Sequence, residues 1–316
     1  PFPTTVNYLL VVRGACQVKR SAKEEIEISC ISGISHIYLV GGPSLPELVQ
    51  TAELVLAQSP EALLEETRQE WLAFSASRSP WDEILPPELP QRARLLQTID
   101  DVAVLIRAQQ SLEGGILAGH NYHMAYVRDQ YGMARGLLAL GHTHAARQIL
   151  QFYWRLWQRH GCIHNGQAAG VDGVFHVHEN DEVEITGYLV LQAFDDLEKT
   201  GDDAFIAEIF PMLAWAWEAQ ARHLLEGMLP FNGDETYVAG GILPRWTLND
   251  GSAEATLLFL TGGKKLLAWL ENNRLWSAGQ LEAARQLYQQ ALDPYRTNFW
   301  RDGRILTNNP RRAMAS

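Results

Sequence analysis

Three polar clusters carry residue types able to work on a sugar: Tyr126-Val127-Arg128-Asp129, Glu179-Asn180-Asp181-Glu182-Val183-Glu184 and Asn232-Gly233-Asp234-Glu235-Thr236-Tyr237. Cleaving a glycosidic bond takes one carboxylic acid to protonate the leaving oxygen and one carboxylate to act as base or nucleophile. An arginine and further acids can hold the hydroxyls by charge-assisted hydrogen bonds. Tyr122, Tyr126, Phe175, Phe231, Tyr237 and Trp246 offer flat faces on which sugar rings could stack. Each cluster also has an ordinary explanation when read singly. Arg128-Asp129 suits a surface pair, Glu182 and Glu184 suit the first turn of a helix, and Asp234-Glu235 suits a turn. Their chemistry depends on whether the chain brings them to one place.

The elements between the clusters say that it does. Leu95, Ile99, Val102, Ala103 and Ile106 form one helical stripe, and Phe205, Ile209, Leu213, Trp217 and Ala221 form another. Such patterns predict helices over about 91–110, 124–140, 143–160, 182–199, 203–225, 251–271 and 279–293, with Pro211 expected to kink or split the fifth. Gly141 and Thr200-Gly201-Asp202 close tight turns. Connections 111–123, 161–181 and 226–250 are long and rich in Gly, Asn, His and carboxylates. If successive helices run antiparallel, every long connection emerges on one face. The N-termini of the second, fourth and sixth helices lie there too, and their partial positive charge favours anionic groups.

Ahead of this body, Val6–Val12, Glu25–Ser29 and Ile37–Val40 read as three strands, ended by Gly41-Gly42-Pro43. Helical stripes follow from Leu48 to Phe74, and Pro80, Pro86, Pro87 and Pro90 mark a linker. The expected division is a β-rich segment over 1–45, a helical linker over 46–90 and a helical domain over 91–316.

At the clusters the chain resembles the glucoamylase-type glycoside hydrolases, which fold as an (α/α)6 toroid behind an N-terminal β-sandwich. In that family an aromatic-x-Arg-Asp motif opens the second helix and holds the terminal glucose, a role that carries over to Tyr126, Arg128 and Asp129. A later loop, ending in Trp-Glu-Glu, carries the general acid. Its position is matched by Gly233-Asp234-Glu235, with Gly233 in place of the Trp, followed by Gly251-Ser252-Ala253-Glu254-Ala255-Thr256 opening the next helix. The resemblance covers roughly 91–300 and rests on order and position. It implies a mainly α fold and an inverting hydrolase of an α-glucoside or oligosaccharide that needs no cofactor or metal. It also implies Glu235, slightly ahead of Asp234, as acid, and Tyr126, Arg128 and Asp129 as substrate-binding residues, to which the clusters on the shared face add Asp181, Glu182, Glu184 and Trp246. The family's toroid has twelve helices and its base lies in the last of them. About seven are expected here, so the toroid is expected to be incomplete at its C-terminal end, with Glu182 or Glu184 as the base candidates within the chain.

Composition limits the rivals. A net charge of -11 disfavours a nucleic-acid partner. No apolar run approaches the ~20 residues of a membrane span. Three scattered cysteines, Cys16, Cys30 and Cys162, suit neither a disulfide framework nor a zinc cluster, and point to a reducing, cytoplasmic setting. His142-Thr143-His144 and His176-Val177-His178-Glu179 have metal-ligand spacing but lack a third ligand and read as ordinary loop histidines. Two other readings stay open. One is a sugar phosphorylase using Lys264 or Lys265, which turnover dependent on phosphate would reveal. The other is a carbohydrate-binding or regulatory module without a base. No protein partner is indicated.

Overall fold

The computed structural model describes residues 7–20, 25–42, 44–119, 122–177, 181–230 and 251–309. The chain divides into two units, 1–77 and 78–316.

In the first unit, strand β1 (Asn7–Arg20) pairs antiparallel with β2 (Ile26–Gly42) in one long hairpin. The two later strands expected from the sequence are therefore parts of one strand. A register shift between Arg13 and Ala15 surrounds Gly14, whose φ of 134° suits a residue without Cβ. Helix α1 (Leu45–Ala57) starts at the Ser44 cap and lays Leu48 and Ala52 against Val40, with Leu9, Val11 and Tyr38 around them. Helix α2 (Pro60–Ala76) follows from the Ser59 cap.

The second unit opens with the short helix α3 (Trp81–Ile84), then α4 (Arg92–Ala108). Strand β3 (Ala125–Tyr126) leads into α5 (Val127–Leu140), and α6 (Thr143–His160) returns. Two short strands, β4 (Gly166–Gln167) and β5 (Phe175–His176), and a π-helical turn (Asp181–Ile185) precede α7 (Thr186–Thr200). Then come α8 (Asp203–Arg222), β6 (Leu229–Pro230), β7 (Gly251–Ser252), α9 (Ala253–Asn273) and α10 (Ala278–Phe299). Three short strands, β8 (Trp300–Arg301), β9 (Arg304–Ile305) and β10 (Asn308–Asn309), close the described part.

The helices form two layers. α5, α7 and α9 pack side by side, while α6 packs against α5 and α7, α8 against α7, and α10 against α9. α7 lies between neighbours on both sides and is buried from Thr186 through Phe194, as its apolar run Tyr188-Leu189-Val190-Leu191 requires. α8 runs through Pro211 without ending there, so the expected split does not occur. Burial of Phe205, Ile209, Leu213 and Trp217 outweighs the lost backbone hydrogen bond. Gly141, Gly161 and Gly201 cap α5, α6 and α7 in the left-handed conformation. No described helix is long and apolar enough to cross a membrane.

Candidate functional site

The long connections are fastened to the starts of α5, α7 and α9. Strand β3 runs directly into α5 and pairs with β4, which pairs with β5, so the 161–177 connection is stitched beside Tyr126. In the same way β7 runs into α9 and pairs with β6 on one side and β10 on the other.

Buried side chains pin the loops further. Gln130 accepts a hydrogen bond from the Ile116 amide at 2.8 Å and donates to the Ile116 carbonyl. Gln167 accepts from the His164 amide at 2.7 Å and donates to the Ala125 carbonyl at 3.3 Å. Gln220 donates to the Val183 carbonyl at 2.8 Å, and the Leu229 amide donates to Thr256 at 3.0 Å. Each satisfies loop backbone groups that would otherwise be buried unpaired. A helix that began here without such anchors would carry a floppy connection. With them, the first turns of α5, α7 and α9 present side chains at fixed positions.

Four of those side chains form one cluster. Arg128, on the first turn of α5, donates through Nη1 to Glu184 Oε1 at 3.2 Å. The Glu184 side chain is 0% exposed and that of Arg128 is 42% exposed, so the guanidinium reaches from a buried carboxylate toward solvent. Tyr188, one turn further along α7, donates through its hydroxyl to Glu254 Oε1 at 2.7 Å. Glu254 stands exposed on the first turn of α9, whose start is capped by Ser252 accepting from the Ala255 amide. Burial, the hydrogen bond to Glu254 and the charges of Glu184 and Glu254 raise the Tyr188 pKa far above that of a free tyrosine. Tyr188 is therefore a persistent O–H donor. Its ring lies 5.3 Å from that of Tyr131 on α5, whose hydroxyl donates to Asp195 at 3.2 Å. The pKa of Tyr131 is also raised, by burial and by the Asp195 charge.

Beside this cluster is an aromatic wall. The Tyr126 ring stands edge-on to Tyr122 at 6.1 Å and to His176 at 5.7 Å. It lies over Gly166, where a Cβ would come within 3.1 Å of Tyr126 Cε1. Asp181 accepts from His164 Nδ1 at 2.8 Å, and His164 Nε2 lies 3.5 Å from Cys162 Sγ. Burial, with the charges of Asp181 and Glu182, pushes the Cys162 thiol pKa up. Asp129, exposed next to Arg128, contributes after burial to raising the pKa of the buried Tyr153.

The residues singled out in the sequence thus separate into groups. Arg128, Glu184 and the Tyr126 wall share the starts of α5 and α7. Glu182 turns instead toward the end of α8, where His223 Nε2 lies 2.9 Å and Arg222 Nη2 3.4 Å from its Oε2. Burial raises its pKa, but these two partners outweigh burial and hold it below the usual value. Asp234, Glu235, Trp246, Glu179, Phe231 and Tyr237 lie outside the described residues. Tyr188 and Glu254 were not among the expected site residues. Tyr188 sits in an apolar helical run and reads as core, and Glu254 reads as a first-turn acid behind a Ser cap. The signal that could have found Glu254 is parity, since it opens the third of the helices whose starts collect on one face.

Of the two lysines considered for a phosphate pocket, Lys264 is exposed on α9, and Lys265 is held by Asp195 at 3.1 Å and Glu198 at 3.0 Å. It stands eleven residues beyond Glu254 on α9, about 16 Å along the helix axis. Among the described residues no group of three or more His, Cys, Asp or Glu side chains is placed to hold a metal ion. His142 is a buried residue at the start of α6, and burial lowers its pKa.

No known family profile and no curated protein sequence matches the chain. Two solved structures share its fold. One is a glycosidase carrying a glutamate-to-alanine substitution, with a TM-score of 0.53 and 13% identity over 69% of this chain and 60% of its own. The other is a bacterial glucoamylase in complex with acarbose, with a TM-score of 0.53 and 13% identity over 86% of this chain and 38% of its own. The chain spans less than two thirds of the length of either. Its helical layers have the glucoamylase-like α/α toroid arrangement expected from the sequence.

Proposed function

We propose that this protein is a glycoside hydrolase acting on an O-glycosidic bond of an α-glucoside or oligosaccharide, with inversion at the anomeric carbon. The observation that carries the reading is the convergence of Arg128, Glu184, Tyr188 and Glu254 from the first turns of three neighbouring helices. The glycosidase and glucoamylase that share the fold support the same reading.

The roles follow from burial and charge. Arg128 binds sugar hydroxyls through the part of its planar fork that faces solvent, and Asp129 beside it accepts from a neighbouring hydroxyl. Glu184 is buried and acts through Arg128, fixing the guanidinium, and the Tyr126 ring packs against the sugar. Glu254 is the described carboxyl best placed to act on water. It is exposed on the first turn of α9, and the Tyr188 O–H donated to its Oε1 fixes the carboxyl in position. The general acid then comes from Asp234 or Glu235, in the stretch of sequence between β6 and β7, with Glu235 preferred. In an inverting enzyme the two carboxyls stand roughly 6.5–9.5 Å apart, which two adjacent residues cannot provide but two different segments can. Water is preferred to phosphate as the nucleophile, because Lys265 is paired with two carboxylates and both Lys264 and Lys265 stand about three turns beyond Glu254 on α9.

The test is to incubate the full chain with a panel of α-glucosides and to follow the first-formed anomer of the released sugar by NMR. Release of the opposite anomer supports the proposal. Binding without release shows a carbohydrate-binding module, and release only in the presence of phosphate shows a phosphorylase.

A further inference from the structure

The first unit carries a feature unrelated to the sugar site. On the hairpin, Cys16 of β1 stands directly opposite Cys30 of β2, and their sulfurs are 3.4 Å apart. Both are free thiols. Directly opposed residues on antiparallel strands have Cα atoms about 4.5–5.5 Å apart, inside the roughly 4.4–6.8 Å range that a disulfide spans. Side-chain rotation alone has to bring the sulfurs together. We propose that Cys16 and Cys30 are a redox-modification site, forming a cross-strand disulfide by exchange with a small disulfide such as oxidised glutathione.

The two thiols differ in a way that sets the order of events. Cys30 is exposed, whereas Cys16 is half-buried and its sulfur lies 3.0 Å from Ser35 Oγ. Cys30 loses its proton and attacks the small disulfide, releasing one small thiol and leaving a mixed disulfide on Cys30. Cys16 then loses its proton, attacks the Cys30 sulfur and releases the second small thiol. The protein gives up two electrons and two protons, and the small disulfide is reduced to two thiols. Cys162, in the second unit, has His164 rather than a thiol beside it and is the internal control.

The position of the pair gives the bond an effect. The small core of Val40, Leu48 and Ala52 holds the opposite end of the hairpin. Beyond the Gly14 bulge, Ala15–Arg20 is exposed apart from Cys16, and the facing Ile26–Ile31 is exposed apart from Ile28. A two-stranded ribbon without a packed face is marginally stable. The disulfide closes residues 17–29 into a loop and tethers the half of the hairpin that the core does not hold.

The experiment equilibrates the full chain in glutathione buffers from fully reducing to fully oxidising, alkylates free thiols, and maps peptides by mass spectrometry. The expected product links the Cys16 and Cys30 peptides while Cys162 stays alkylated. In the same samples, backbone hydrogen exchange over 15–20 and 26–31 should slow on oxidation by up to about a hundredfold, the scale set by closing a loop of this length. C16S should stop at a mixed disulfide on Cys30, and C30S should react more slowly at Cys16. The proposal is overturned if oxidised wild-type protein keeps all three thiols alkylatable, carries only mixed disulfides, or links either cysteine to Cys162. The wild-type result stands alone should a variant fail to fold.

Discussion

Replacing Arg128 with alanine would take away a cation that pairs with the buried Glu184 carboxylate. Breaking a fully buried ion pair from one side costs about 3–5 kcal/mol. Arg128 is 42% exposed, so water already screens part of the attraction and can approach once the side chain is removed. The expected loss for R128A is therefore about 2 kcal/mol. In a unit of this size that corresponds to a fall in Tm of about 4–8 °C. Adding Glu184→Gln removes the buried charge that Arg128 paired with, so the double variant should regain about half of the loss, a coupling that a double-mutant cycle in urea reads directly. R128K keeps the charge and loses the fork, so it should melt close to wild type yet bind sugar at least about tenfold more weakly. A cost for R128A below about 0.5 kcal/mol, the level of an ordinary surface substitution, with no coupling to Glu184, would refute the view that this pair fixes the site.

Tyr188→Phe removes the donor to Glu254 and should lower kcat about tenfold with little change in KM, measured by steady-state hydrolysis. The raised pKa of Tyr188 means that it stays protonated above pH 10, where unfolded tyrosine ionises. Its contribution to stability is whole below that pH and is lost only as pH rises through the folded value, so ultraviolet titration of the folded protein should show Tyr188→Phe missing a late-titrating phenol. Burial also raises the Asp196 pKa despite Arg147. Asp196 therefore stabilises the fold fully below about pH 4 and loses that contribution as pH rises through its folded value, and Asp196→Asn should flatten this part of a urea-stability profile. A Cβ on Gly187 would come within 2.7 Å of Gln220 Nε2 and 2.8 Å of Leu258 Cβ. Gly187→Ala should cost about 1–3 kcal/mol in chemical denaturation by forcing α7 away from α8 and α9.

Much of the helical body was legible because amphipathic stripes are local. The stripe through Leu95 and Ile106 and the stripe through Phe205 and Trp217 each became one helix within a few residues of the expected bounds. Alternating short and long connections showed the face on which α5, α7 and α9 begin. Arg128 and Glu184 were both named as candidates from the sequence, but that they pair, and that Tyr188 meets Glu254, was not legible, because the partners come from distant parts of the chain. Glu184 is 56 residues from Arg128, and Glu254 is 66 residues from Tyr188. The π-helical turn was also invisible. It ends with Glu184 buried and the Val183 carbonyl on Gln220, both consequences of packing between helices. In the hairpin, polar Ser29 and Ser32 with Gly33 broke the apolar pattern and suggested two strands, whereas pairing with β1 carries β2 through them. Cys16 and Cys30 looked scattered in sequence because only the register places them opposite each other.

The central claim is that this face hydrolyses glycosides with Glu254 as base and the Asp234-Glu235 loop as acid. It is tested most directly by comparing Glu254→Gln, Glu235→Gln and Asp234→Asn on glucosides with good and poor leaving groups. Glu254→Gln should slow every substrate by a similar factor of about a hundred or more, because losing the base impairs water whatever departs. Glu235→Gln should spare activated aryl glucosides and penalise poor leaving groups most, with Asp234→Asn weaker in the same sense. A selective effect of Glu254→Gln on poor leaving groups would exchange the two roles. Failure of the wild-type chain to hydrolyse any glucoside, or full activity in all three variants, would contradict the account.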